Sequence, residues 1–194
     1  MLELLVLGAT LTLAAWAAGS GVHRRTAAAR ALNLYAVSRG LLFVPATSKP
    51  RGASPRVNGT KDGIVFAIDL YRLHGDIRTR VSTDAPRGRA AVLSVGQRGA
   101  FVWEREGVLA LGDADFDRAY VVLEGAAEDA DVLREVRPLL LKLDELRTGV
   151  WLRSDGHKVT ISWRGTESDP IVLDAARDAL VLIAARHAPH APYR

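Results

Sequence analysis

The stretch Val150-Trp151-Leu152-Arg153-Ser154-Asp155-Gly156-His157-Lys158-Val159-Thr160-Ile161-Ser162-Trp163 decides the fold. Asp-Gly is a strong short-range hairpin signal, because a tight two-residue turn needs positive φ, which these residues tolerate. Beyond it Val159, Ile161 and Trp163 share one face and Lys158, Thr160 and Ser162 the other, the period-two alternation of a half-buried strand. Helical patterns flank this hairpin. Downstream, Asp169 is a candidate N-cap with Pro170 at the first helical position, and Val172, Ala175, Ala176, Ala179, Leu180, Ile183 and Ala184 form an apolar stripe. Upstream, Val132, Leu133, Val136, Leu139, Leu140, Leu143 and Leu146 line a helix opening near Asp129, in which Pro138 predicts a kink or restart.

Working towards the N-terminus, Ile64, Phe66, Ile68 and Leu70 alternate with Val65, Ala67, Asp69 and Tyr71. Ile77, Thr79 and Val81 alternate with Arg78, Arg80 and Ser82, so the two runs read as a hairpin about His74-Gly75-Asp76. Further strands are predicted at 41–44, 91–95, 101–103 with 108–111, and 119–123. Pro45 to Pro55 reads as a polar connection, and Asn58-Gly59-Thr60 as a turn rather than a used glycosylation sequon. Strands followed by helix, hairpin and helix predict an α+β fold, a mainly antiparallel sheet with helices packed on one face.

The run from Leu4 to Val22 carries no charged side chain and is long enough for the roughly 20 residues that cross a bilayer. It is followed by His23-Arg24-Arg25, whereas Glu3 is the first charged side chain. A cleaved signal peptide would have a basic segment ahead of the apolar run, so the reading is a transmembrane anchor with its Arg-rich flank in the cytoplasm. Ala15-Trp16-Ala17 is the sequence that a cleavage site would use. The predicted organisation is an anchor over 1–22, a juxtamembrane helix over 23–40, an α+β domain over 41–187 and a tail over 188–194, placed single-pass in a bacterial inner membrane with the domain in the cytoplasm. The bacterial origin rests on an Ala, Arg and Gly content that resembles proteins of GC-rich genomes.

Composition narrows the chemistry. The chain of 194 residues is 48% hydrophobic and 25% charged, with a net charge of +4. This bounds it to one domain, or one domain with an anchor. With no cysteine, disulfides, thiolate zinc sites and cysteine nucleophiles are excluded. Arg24, Arg25, Arg30, Arg39, Lys49, Arg51 and Arg56 concentrate the positive charge after the apolar run, a pattern that favours anionic lipid. Only Tyr35 and Phe43 fall among these cations, fewer aromatics than a single-strand binder would interleave, which disfavours nucleic acid. Trp16, Arg24, Arg25 and Arg30 are the candidate lipid contacts.

Asp113, Asp115, Asp117 and Glu124 fall at positions 1, 3, 5 and 12 of a calcium-binding loop. Arg118 stands where that loop needs glycine, and the preceding segment reads as strand, so the competing account is a turn with local side-chain bonds and inward-facing Phe116 and Tyr120. The five histidines have no zinc spacing, and neither a nucleophile elbow nor a phosphate loop occurs. No cofactor is predicted. Trp103, Trp151 and Trp163 lie on predicted strands, where the alternatives are core packing and an interface; exposure discriminates between them.

The block Gly112-Asp113-Ala114-Asp115-Phe116-Asp117-Arg118-Ala119-Tyr120-Val121-Val122, with the helix, hairpin and helix after it, resembles a set of uncharacterised bacterial proteins. In these a Gly-Asp-x-x-Phe-Asp block precedes a strand, often behind an N-terminal membrane helix, and the likeness covers about half of the chain. It implies an architecture with no assigned activity and transfers no catalytic residue. The resulting expectation is a non-enzymatic interaction or scaffold domain tethered to the membrane, its protein partner unidentified. The alternatives are a metal-binding protein or membrane-associated metal-dependent enzyme using Asp113, Asp115 and Asp117, and anionic-lipid or nucleic-acid binding through the basic segment.

Overall fold

The computed structural model describes residues 26–47, 54–84, 92–100, 107–155 and 157–186. Helix α1 runs over 26–39. The strands are β1 (Leu42–Val44), β2 (Arg56–Lys61), β3 (Ile64–Leu73), β4 (Asp76–Asp84), β5 (Val92–Gln97), β6 (Tyr120–Glu124), β7 (Trp151–Asp155) and β8 (Lys158–Arg164). Three further helices are α2 (Ala114–Ala119), α3 (Asp129–Leu146) and α4 (Pro170–Arg186). The strands form one sheet in the order β1-β2-β3-β4-β8-β7-β5-β6, and every pairing is antiparallel. The fold is α+β.

Register explains why one face is dry. Phe43, Val57, Ile68, Val81, Ile161, Leu152, Val95 and Val122 stand opposite one another in an unbroken apolar row across all eight strands. A slip of one residue in any pairing would turn its strand's apolar set outward, so the row specifies register as well as burial. Against it pack Leu32, Tyr35 and Ala36 of α1, Leu133, Val136, Leu140 and Leu143 of α3, and the Val172–Ala184 stripe of α4. Each leucine, valine or isoleucine among these, fully buried, contributes about 1.5–3 kcal/mol relative to an exposed one.

The termini of these elements follow local chemistry. Asp169 accepts from the backbone of Ile171 at 2.8 Å to cap α4. Gly40 ends α1 with φ +62, and Leu41 N–H reaches back to the Ala36 carbonyl at 2.8 Å, the closing bond of a Schellman end. His74-Gly75, with φ of 50 and 91, makes the two-residue turn between β3 and β4.

Several sequence expectations are corrected. Asn58-Gly59-Thr60 is the middle of β2, not a turn. Glycine is required there by close approach: a Cβ would lie 2.5 Å from Leu41 Cδ2 and 2.7 Å from Phe66 Cζ. Pro138 does not restart α3, which is continuous through it. Segment 108–111 holds one isolated bridge, Leu109 to Val122, rather than a strand. The region from Asp113 is a capped short helix rather than a simple turn. Helix α1 contributes Ala28, Leu32, Tyr35 and Ala36 to the buried core, so it forms a layer of the domain.

No described helix is long and apolar enough to cross a membrane. The predicted anchor, with Trp16, Arg24 and Arg25, lies outside the described residues, as do Lys49, Arg51, Trp103, the strand predicted at 101–103 and the tail.

Candidate functional site

The same alternation that buries one face leaves the other without a helix among the described residues. Row by row, this open face presents Asp69, Arg80, Ser162 and Trp151 across β3, β4, β8 and β7. The next row holds Tyr71, Arg78 and Arg164. Arg80 is held in a planar pair with Asp69, at 2.9 Å from Nε and 2.7 Å from the terminal nitrogen, and its guanidinium lies 4.8 Å from the Tyr71 ring centroid. Cation–π contact and carboxylate pairing both favour arginine over lysine here. The Asp69 carboxylate raises the guanidinium pKa by accepting these bonds, although burial works in the opposite direction. Tyr71 donates to Ser162 Oγ at 3.1 Å, and Trp151 Nε1 donates to Ser94 Oγ at 3.1 Å. Arg153 and Arg56, both exposed, extend the basic surface.

Of the three candidate tryptophans, Trp163 is completely buried on the helix-covered face, which removes it from any surface role. Trp151 is half-buried on the open face. Trp163 belongs to a fastening cluster that the sequence did not announce. Glu167, only 2% exposed, accepts from Trp163 Nε1 at 3.1 Å and from the backbone N–H groups of Ser168 and Asp169 at 2.8 and 2.9 Å. Arg147 completes the set, with its terminal nitrogen 2.7 Å from the second oxygen and Nε on the first. Five donors on one carboxylate leave it no lone pair to offer a reactant, so its work is to tie the end of α3 to the start of α4.

Three of the four candidate metal ligands are likewise committed. Asp113 accepts from the backbone of Asp115 and Phe116 at 3.2 and 3.0 Å, capping α2, and pairs with Arg137 at 2.6 Å. The Phe116 N–H, against a smaller burial effect, together with Arg137 holds the Asp113 carboxyl below its ordinary pKa. Asp115 pairs with Arg118 at 3.2 Å and Arg137 at 3.5 Å, and Asp117 accepts from Leu111 N–H at 3.1 Å. Glu124 sits exposed at the end of β6. Among the described residues no three His, Cys, Asp or Glu side chains are grouped to hold a metal. Phe116 and Tyr120 do turn inward, stacked at 5.3 Å, with Tyr120 donating to the Leu140 carbonyl at 2.7 Å; burial pushes the phenol pKa well up.

Two polar regions remain. A cleft of about 490 Å³ is lined by Arg98, Asp115, Arg118, Leu141, Asp144 and Glu145. Asp144 accepts from Gln97 at 2.5 Å, Arg98 donates to the Asp117 carbonyl at 2.8 Å, and Arg118 pairs with Asp115. At the α1–α4 contact Asp174 accepts from Tyr35 at 2.9 Å and pairs with Arg39 and Arg177. Burial raises the Asp174 pKa, but these donors outweigh it and the net shift is downward.

Neither a protein-family model nor a curated protein matches the chain. The crystal structure of the mycobacterial trehalose monomycolate transport factor A, TtfA, is similar to it at a TM-score of 0.52 and 13% sequence identity, covering 86% of this chain and 98% of that one. At that identity the likeness is one of fold.

Proposed function

We propose that this chain is a membrane-tethered interaction domain without catalysis, and that its partner docks on the open face of the sheet. The observation that carries the reading is the arginine- and aromatic-bearing face formed by Tyr71, Arg78, Arg80, Trp151, Arg153 and Arg164, composed of the residue types that dominate interfaces. The apolar run Leu4–Val22 supplies the tether. The fold is similar to that of a trehalose monomycolate transport factor. The test places a photoreactive amino acid at Arg153 on the open face or at Arg134 on the outer side of α3, in cells. A discrete cross-linked protein adduct from position 153 and none from 134 is expected. Adducts from 134 alone, or from neither, would reject the docking face.

The sequence reading of anionic-lipid contact keeps support from α1. Its outer side presents an exposed Arg30 together with Leu34 and Val37, 64% and 72% exposed, on the helix that follows the apolar run. Because the chain has no cysteine, a fluorophore on Leu34→Cys reports one position. Quenching by lipid-borne nitroxides in anionic vesicles is expected, and a signal equal to that of Val65→Cys on the sheet would refute the contact.

A further inference from the structure

Arg80 and Arg78 lie two residues apart on the same face of β4, and only one of them has a counter-ion among the described residues. Arg78 is the more deeply buried, at 4% exposure. One of its terminal nitrogens donates to the Gly149 carbonyl, while its Nε is buried with no hydrogen-bond partner. No ion pair to Arg78 occurs among the described residues, whereas Arg80 is bidentate on Asp69. Directly opposite Arg78 on β8 stands a second cation, Arg164. Its acidic neighbour, Asp76, is 3.8 Å away, and both of those side chains are more than half exposed. Like charges facing each other across an antiparallel pair destabilise it, and a buried guanidinium without an anion is costly.

The backbone around the pair is shaped to it. Gly149, with φ +68, sits beside the stem of Arg164, where a Cβ would lie 3.2 Å from Arg164 Cγ. Arg164 N–H is bonded to the Thr148 carbonyl at 3.1 Å, so the segment after α3 is fixed alongside both arginines. Arg164, 57% exposed in its side chain, gives solvent access to the pair.

We infer that Arg78 and Arg164 form a receiving site for an oxyanion, a carboxylate or phosphate group, on the open face. The inference deepens the proposed docking face by assigning the chemistry of the group that anchors there. Guanidinium forks match planar carboxylates and phosphate oxygens with paired charge-assisted bonds, and an anion shared by two of them would reverse the like-charge repulsion.

The test is thermal unfolding of the full chain in detergent, titrated with sodium phosphate in one arm and sodium acetate in the other, at constant ionic strength. A saturable rise of about 4 °C is expected at roughly tenfold the dissociation constant. The arm with the larger rise identifies the source. Arg164→Gln and Arg78→Met should each lose the rise, and Arg153→Gln, on the same face, should keep it. In anion-free buffer Arg78→Met should match or exceed the parent melting temperature, since it removes an uncompensated buried charge; an arginine needed only for its bond to Gly149 would lower it. Should Arg78→Met fail to fold, the exposed Arg164→Gln still decides. No rise in either arm, or a rise retained in Arg164→Gln, overturns the site. Because no partner is involved, that result would leave the cross-linking test of the docking face standing independently.

Discussion

Trp163 and Trp151 belong to one hairpin, on adjacent strands, yet their surroundings have little in common. Trp163 is fully buried beneath the helices, with its indole N–H on the sealed carboxylate of Glu167. Trp151 is half-buried on the side without helices, its N–H on Ser94, beside a surface of arginines. The first environment is apolar and its polar groups are satisfied internally, which is how a sheet is held to its helices. The second is polar, and among the described residues it leaves the buried Nε of Arg78 without a partner. Stability is concentrated on one face of the sheet, and charge that internal partners do not cancel is concentrated on the other.

Mutations can break this contrast. Trp163→Ala should cost about 3–5 kcal/mol in denaturant unfolding, while Trp151→Ala should cost far less. Equal losses would mean that the open face also carries the core. Glu167→Ala should cost about 3 kcal/mol by leaving Arg147 and the indole unpaired around a buried site, with Arg147→Ala giving a smaller loss because that side chain is partly solvated. Gly59→Val should lower stability by about 1–3 kcal/mol through the approach of Leu41 and Phe66, although valine favours strands in general. A stabilised Gly59→Val protein would contradict the packing described for β2.

The acid limb offers a smaller effect with a definite sign. Asp113 and Asp155 accept backbone N–H bonds that lower their folded-state pKa values. Their stabilisation is therefore fully present above the unfolded carboxyl pKa of about 3.9, and is lost as pH falls through the lower folded values. Melting temperature should decline below about pH 4, and Asp113→Asn, which can still cap α2, should soften that decline. An unchanged acid profile in this variant would show that the Asp113 charge does not contribute.

The elements most legible in sequence were those whose local chemistry and tertiary role coincide. Asp169-Pro170, the apolar stripe of α4 and the alternation of β8 each state their structure locally, and the structure agrees. Strand β2 was missed because Asn58-Gly59 carries turn residues, and only contact with Leu41 and Phe66 shows why glycine is there. A usable signal was nevertheless present: Asp62-Gly63, with φ of 51 and 77, makes the same kind of tight turn as the one read at His74-Gly75. The Gly-Asp-x-x-Phe-Asp block looked like chemistry, but its carboxylates cap α2 and pair with arginines while its Phe116 enters the core. The open face was legible only in pieces, as the alternation that sets Arg78 and Arg80 apart and the interface alternative for Trp151. Arg78, Arg80, Arg164 and Trp151 come together only through the β3-β4-β8-β7 register, and β8 lies about eighty residues from β4 in the chain.

The central claim, that the open face is the covered one in the cell, is tested most directly by hydroxyl-radical footprinting of the full chain in its native membranes and after purification in detergent. The account predicts that Tyr71 and Trp151 are protected in native membranes and gain labelling on purification, while Leu146 and Ile171, exposed on the helical side, label equally in both. Equal labelling of Tyr71 and Trp151 in the two states, or protection of Leu146 and Ile171 instead, would contradict it.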